Sequence, residues 1–212
     1  MNYNNNLKIN YKLNEIEKSY KIFKNSFIND IFFFELDSEE KCNCNGKVGF
    51  SSLNYMLSYN DDNLKGLKGQ NINVESLFNM KRKIECDKCN RAKKTKILFK
   101  SQPKILIISF QLTKKNEEEI NKIKFNYNME LNLKKYCLNN KDKDNVNYKL
   151  ISMMKFLDNK KILKTYCKSS TKKEMWYKYS ESKEQQEIEE IILSDEIQTY
   201  KRIPYLLIYQ KN

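Results

Sequence analysis

YKLISMM (Tyr148 to Met154), KTYCK (Lys164 to Lys168) and PYLLIY (Pro204 to Tyr209) are the runs on which the fold is read. Each is short, rich in β-branched or aromatic residues, and bounded by polar residues, which is the pattern of strands in a largely antiparallel sheet. Between the second and third runs, MWYKY (Met175 to Tyr179) reads as an aromatic pair of turns. These runs predict an α+β protein whose sheet is organised around Tyr148 to Tyr209.

Working outward, Pro103 to Phe110 (PKILIISF) is the most hydrophobic run and is expected to be a central strand. Phe125 to Leu133 alternates with period two and predicts one half-buried strand. Val48 to Leu57 reads as extended, Asn60 to Gln70 as a polar loop, Val74 to Phe78 as a short helix, and Lys114 to Lys124 as a charged surface excursion. Towards the N-terminus, Ile16, Tyr20, Phe23, Phe27, Ile28 and Ile31 recur every three or four residues, which predicts a helix with a core-facing stripe. Ile31 to Phe34 then reads as a helix end feeding a strand. Residues 1–12 form a loose, Asn- and Lys-rich arm, and 13–212 a single domain.

Composition narrows the chemistry. The chain has 212 residues, 40% of them hydrophobic, enough for one packed core. Its net charge of +13 invites a phosphate-bearing partner, yet only Arg82, Arg91 and Arg202 among the 40 basic residues are arginine. Arginine is preferred for bidentate phosphate and base contacts, so this balance argues against sequence-specific nucleic-acid reading. There is no histidine, which removes Ser-His and Cys-His pairs and any His-containing metal site. No apolar run approaches the roughly 18 residues of a membrane span, and the N-terminus has no apolar leader core, so a soluble intracellular protein, cytoplasmic or nuclear, is expected.

Cysteine and carboxylate remain for metal chemistry. Cys42-Asn43-Cys44-Asn45-Gly46 and Cys86-Asp87-Lys88-Cys89 are two close pairs separated by 41 residues. Four thiolates at about 2.3 Å close a tetrahedral structural zinc site, and two pairs on separate hairpins are the usual way to present them. The first pair has one intervening residue where a knuckle normally has two, and Gly46 is suited to a positive-φ turn after it. Buried or exposed free thiols in a reducing compartment are the alternative. The basic run Arg91 to Lys96 reads as a solvated hairpin end, and Cys137 and Cys167 as structural thiols on strands.

The order of these elements resembles the ubiquitin-specific protease domain, a papain-like cysteine protease built of thumb, fingers and palm. The two Cys pairs with the strand, loop and short helix between them resemble its zinc-tipped fingers, here about residues 36–100. Pro103 to Phe110 resembles its proline-led palm strand, Phe125 to Cys137 the strand that follows, and Tyr148-Lys149-Leu150 its Tyr-x-Leu strand. Tyr166-Cys167-Lys168, Trp176 with Tyr179, and Tyr205 to Tyr209 resemble the last palm landmarks. The resemblance covers roughly Ser26 to Tyr209.

Carried over by position, the resemblance implies a lost active site. The catalytic histidine of the family falls on Ile162, the residue that orients it on Ser180, and a further histidine common after the Tyr-x-Leu strand on Phe156. No Asn/Gly-rich box around a catalytic cysteine precedes the fingers. The implied protein is a fingers-and-palm relative lacking thumb and triad, not an enzyme, with a structural zinc. It would serve as a protein-binding or scaffolding subunit for ubiquitin or a larger complex. A lysine-rich RNA- or ribosome-associated protein, and an incomplete gene product of a deubiquitinating enzyme, are the alternatives.

Overall fold

A computed structural model describes residues 27–60, 63–64, 71–96, 98–111, 124–138, 146–157, 162–172, 175–181, 186–192 and 203–212. The arm at 1–12, the first half of the helical stripe, most of the polar loop after Asn60, and the excursion up to residue 123 lie outside the described residues. The elements are helix α1 (Phe27–Phe32), strands β1 (Phe34–Lys41), β2 (Lys47–Asn54), β3 (Leu57–Asn60) and β4 (Asn71–Asn73), and helix α2 (Val74–Phe78). Strands β5 (Lys81–Glu85), β6 (Ala92–Lys96), β7 (Leu98–Phe99), β8 (Ile105–Gln111), β9 (Lys124–Asn126) and β10 (Glu130–Asn132) follow. A 3-10 turn (Lys134–Tyr136) leads to β11 (Asn147–Leu157), β12 (Ile162–Lys168), β13 (Met175–Glu181), β14 (Gln186–Ile192) and β15 (Leu206–Lys211).

The palm is one sheet in the order β14-β13-β12-β11-β15-β8-β3, with β10 added beside the first half of β11. All its pairings are antiparallel except β3 with β8. Strand β11 is the seam. Its first residues pair with β10 and β15 together, and its last six with β12. The register against β15 shifts between Leu150 and Ser152, so Ile151 is a bulge. That extra residue moves the buried set from Tyr148 and Leu150 to Met153 and Lys155, which strict alternation forbids.

The core on this face includes Leu106, Ile108, Phe110, Tyr166, Trp176, Leu207 and Tyr209. Its buried hydroxyls are satisfied: Tyr148 Oη donates to the Pro103 carbonyl at 2.6 Å and Tyr209 Oη to that of Asn128 at 2.8 Å. Burial pushes the Tyr127, Tyr148 and Tyr209 hydroxyls well above the ordinary phenol range.

Four expectations are corrected. Met175 to Tyr179 is strand β13, not turns; Trp176 lies 2% exposed while Tyr179, on the opposite face, is 41% exposed. The Pro-led run is not central, since β8 is the next-to-last strand and the seam position belongs to β11. Phe125 to Leu133 is two short strands in different sheets, β9 beside β4 and β10 beside β11. Asn128 breaks the run by bridging its neighbours: Oδ1 accepts from Val74 N at 3.1 Å and its carbonyl from Tyr209. In α1, Phe27 and Ile28 face solvent, so that part of the stripe is not core. The chain turns into β1 after Phe32, and the helix packs near β8 of the sheet. The helix end feeding a strand at Ile31 to Phe34, the extended run after Val48, and the helix at Val74 to Phe78 are as expected. The last of these is capped by a reciprocal Asn73–Ser76 pair.

Candidate metal centre and the palm positions

The fingers carry two antiparallel hairpins, β1–β2 and β5–β6, and each holds one Cys pair at its tip. The tips are built alike despite their unequal length. Asn45 N donates to the Cys42 carbonyl at 2.9 Å and Asn90 N to the Cys86 carbonyl at 3.0 Å. Each tip closes with a bond from its first cysteine, Cys42 N to Gly46 O at 2.8 Å and Cys86 N to Arg91 O at 3.1 Å. The left-handed residues are Asn45 (φ 59°) and Asn90 (φ 55°), each directly after the second cysteine of its pair. Asparagine tolerates this region best among residues with a side chain. The expected positive-φ role of Gly46 therefore belongs to Asn45.

Gly46 is required for a different reason. A Cβ there would lie 2.5 Å from Cys86 Sγ, 2.7 Å from Asp87 Oδ1 and 3.0 Å from Lys88 Cβ. The tips are also stitched together at Asp87, whose N donates to the Lys47 carbonyl at 3.1 Å and whose side-chain Oδ1 accepts from Lys47 N at 2.8 Å. Gly46→Ala is expected to force them apart, costing about 1–3 kcal/mol in thermal unfolding and lowering bound metal. Gly49→Ala, where the nearest contact is Ser38 O at 3.9 Å, is expected to change stability by no more than about 0.5 kcal/mol.

All four Sγ atoms lie within 4.8 Å of one another. Cys42 and Cys89 sulfurs are 3.7 Å apart and those of Cys44 and Cys86 3.4 Å, against about 3.8 Å for neighbouring corners of a Zn–S tetrahedron with 2.3 Å arms. The short first pair thus closes the cluster as well as the second. With no cation, the Cys44 backbone and the neighbouring thiols pull Cys42 down to about 7, whereas sharing with Cys89 and Cys86 pushes Cys44 up to about 12. The Cys42 thiolate is thus stabilised by hydrogen bonds from its neighbours. A divalent cation would favour the ionised form of all four.

Of the remaining cysteines, Cys167 lies on β12 as expected, whereas Cys137 is not on a strand but follows the 3-10 turn and makes an isolated bridge with Phe99. Buried Cys137 Sγ accepts from Gln102 Nε2 at 2.9 Å and donates to the Leu133 carbonyl at 3.2 Å. Cys167 lies half-buried, 3.5 Å from Ser152 Oγ, itself bonded to the Tyr166 carbonyl. In the palm, Ile162 opens β12, and Ser180 on β13 pairs with Lys164, two residues further along β12. Phe156 pairs with Leu163 across β11–β12. The three positions therefore gather at one end of three adjacent strands. Beside them sits a residue the sequence reading passed over, Lys155, which is 3% exposed. Its ammonium lies 4.8 Å from the Tyr166 ring centre and 5.9 Å from that of Tyr127. A lysine inside an apolar run was the available signal. A cavity of about 70 Å³ between fingers and palm, lined in part by Leu36, Tyr59 and Phe78, is well below the roughly 300 Å³ of a small-molecule site.

The fingers and palm, with a cysteine cluster at the fingertip, define a protein of the deubiquitinase architecture. Residues 8–209 match the profile of the ubiquitin carboxyl-terminal hydrolase family, and the chain belongs to that family. Among solved structures it is similar to Ubp8 in the SAGA DUB module with Sgf11, Sus1 and Sgf73 bound to monoubiquitin. That match has TM-score 0.64 and 18% identity, over 96% of this chain and 47% of the other. The same module bound to ubiquitin aldehyde aligns with TM-score 0.61 and 19% identity over 96% and 48% of the two chains. A yeast SAGA DUB module carrying an Sgf73 variant gives TM-score 0.62 and 17% identity over 92% and 45%. The chain thus spans about half the length of the structures it matches. No curated protein sequence matches it. Among the described residues, no helix is long and apolar enough to cross a membrane.

Proposed function

We propose that this chain is a non-catalytic member of the family that binds ubiquitin through its fingers and palm, with a structural zinc ion on Cys42, Cys44, Cys86 and Cys89. The observation that carries the reading is the complete absence of histidine in a chain that retains the palm sheet. Ile162 and Ser180 stand at the positions the family resemblance assigns to the catalytic base and its orienting residue. Neither isoleucine nor serine takes up a proton near neutral pH, and a thiol without a base is a poor nucleophile. Zinc is favoured over other cations by an all-thiolate, four-coordinate donor set with no open position.

The ubiquitin in two of the similar structures supports the choice of partner. Incubated with ubiquitin bearing a C-terminal electrophile, the chain is expected to gain no covalent adduct, while unmodified ubiquitin shifts resonances of the fingers and palm in NMR titration. A time-dependent adduct on Cys137 or Cys167 would overturn the inactive reading. An unchanged spectrum at millimolar ubiquitin would overturn the choice of partner.

A further inference from the structure

The β5–β6 hairpin, residues 81–96, holds eight basic residues against two acidic ones, Glu85 and Asp87. Its register sets Lys81 opposite Lys96 and Lys83 opposite Lys94. Directly opposed residues of an antiparallel pair share a face, so the four lysines form a two-by-two ladder on one side of the ribbon. On the other side Thr95 is fully buried and Ile84 half-buried, while Lys93 opposite Ile84 is exposed. Lys81, Lys83 and Lys94 are exposed, and among the described residues no carboxylate forms an ion pair with them. The one acid on the ladder face, Glu85, stands at the tip end beside Ala92.

At the other end the ladder continues onto the palm. Lys96 Nζ and Lys135 Nζ lie 5.1 and 5.0 Å from the centre of the same Tyr136 ring, and Lys135 also pairs with Glu75 at 3.0 Å. Two rungs of like charge opposed across a strand pair destabilise the ribbon, and the cysteine knuckle nevertheless pins it closed.

We infer that this lysine ladder is a docking surface for a nucleic-acid phosphate backbone. Such a ligand offsets the repulsion that the register builds in. The composition of the face selects it over an acidic protein. The centres of protein interfaces are poor in lysine and rich in aromatic residues, Met and Arg, whereas the four ladder positions are all lysine. Lysine acts as a point charge without the planar fork that reads bases, so the contact is sequence-blind. Ladder lysines neutralise phosphates and release their counterions.

The test uses the full chain and a random-sequence DNA duplex, with binding followed across a salt series. The variant changes Lys81, Lys83, Lys94 and Lys96 to Gln. A charge-matched control changes the exposed Lys104, Lys124, Lys149 and Lys168. The ladder variant is expected to lose about 3.6 units from the slope of log K against log salt, and the control much less. Thermal melts, unchanged in both variants, separate this surface from the fold. Equal losses in the two variants would show that only the overall charge matters and would overturn the inference. It would equally be overturned by an absence of duplex binding at 50 mM salt, or by poly-glutamate binding as tightly as the duplex. Retained duplex affinity in a ladder variant that aggregates would assign the lysines to guarding the strand edges instead.

Discussion

Cys86→Ser is expected to reduce bound zinc from one ion per chain to near zero by elemental analysis, and to open the fingertip to protease while the palm stays folded. Cys86 is the most enclosed of the four thiols, 1% exposed, and its sulfur fills the space that Gly46 leaves. Structural zinc contributes on the order of 10 kcal/mol in small zinc-binding peptides, and most of that is folding free energy. In this protein the loss is local. Strand β1 remains tied to the core through Phe34 and Leu36 and holds β2 by pairing with it, whereas β5 and β6 form a separate two-stranded sheet. New cleavage is therefore expected within residues 86–91 and not in β11 to β13.

Chelation of the wild type should reproduce the pattern. Binding must release protons, because the ligands bind as thiolates and hydrogen-bond sharing with Cys89 and Cys86 raises the metal-free Cys44 thiol above its usual range. Metal affinity accordingly falls as pH is lowered, and calorimetry in buffers of different ionisation enthalpy measures the release. A Cys86→Ser protein that still holds one zinc per chain would sink the four-thiolate assignment.

Trp176→Ala is expected to cost about 3–5 kcal/mol in denaturant unfolding, a large part of the stability of an ordinary domain. The indole is among the largest fully enclosed side chains, paired across the sheet with Lys168 and Ile191, and its truncation leaves a cavity. Three residues along the same strand, Tyr179→Ala is expected to cost no more than about 0.5 kcal/mol. The contrast is a property of period-two geometry, since odd spacing puts the two rings on opposite faces. Had Met175 to Tyr179 been turns, both rings would be partly exposed and the two costs similar. Equal costs would argue against strand β13.

The same contrast shows what the residues disclosed and where they misled. Cysteine pairs at hairpin tips were legible because thiol spacing and turn residues report on short-range geometry. Strands β11, β12 and β15 were legible because apolar runs bounded by polar residues have few other readings. The order of strands in the sheet was not. The most hydrophobic run, Ile105 to Phe110, lies next to the edge because its far side is covered by β3, a parallel partner distant in sequence. Strand β14 was missed altogether, since Gln186-Glu187-Ile188-Glu189-Glu190 offers charges where strands are usually sought in apolar runs. Lys178 pairing with Glu189 and Lys172 with Glu190 at 2.7 Å is visible only once the register is known. At Ile151 a single bulged residue shifted the buried set, which no periodicity within the strand announces. The palm positions Phe156, Ile162 and Ser180 were reached through family resemblance, and the register shows that they gather at one end of three adjacent strands.

Strand β15 follows every other described strand in sequence, yet it lies inside the sheet between β11 and β8. Without it, β14-β13-β12-β11 and β8-β3 are two separate fragments, each presenting an unpaired apolar edge. During synthesis those edges stay open until residues 206–211 leave the ribosome, because the sheet cannot close before its last strand arrives. Closure is then a late step that joins residues about a hundred positions apart, a topology that folds slowly and leaves intermediates prone to associate. The interval before β15 inserts is therefore the one in which open strand edges favour association.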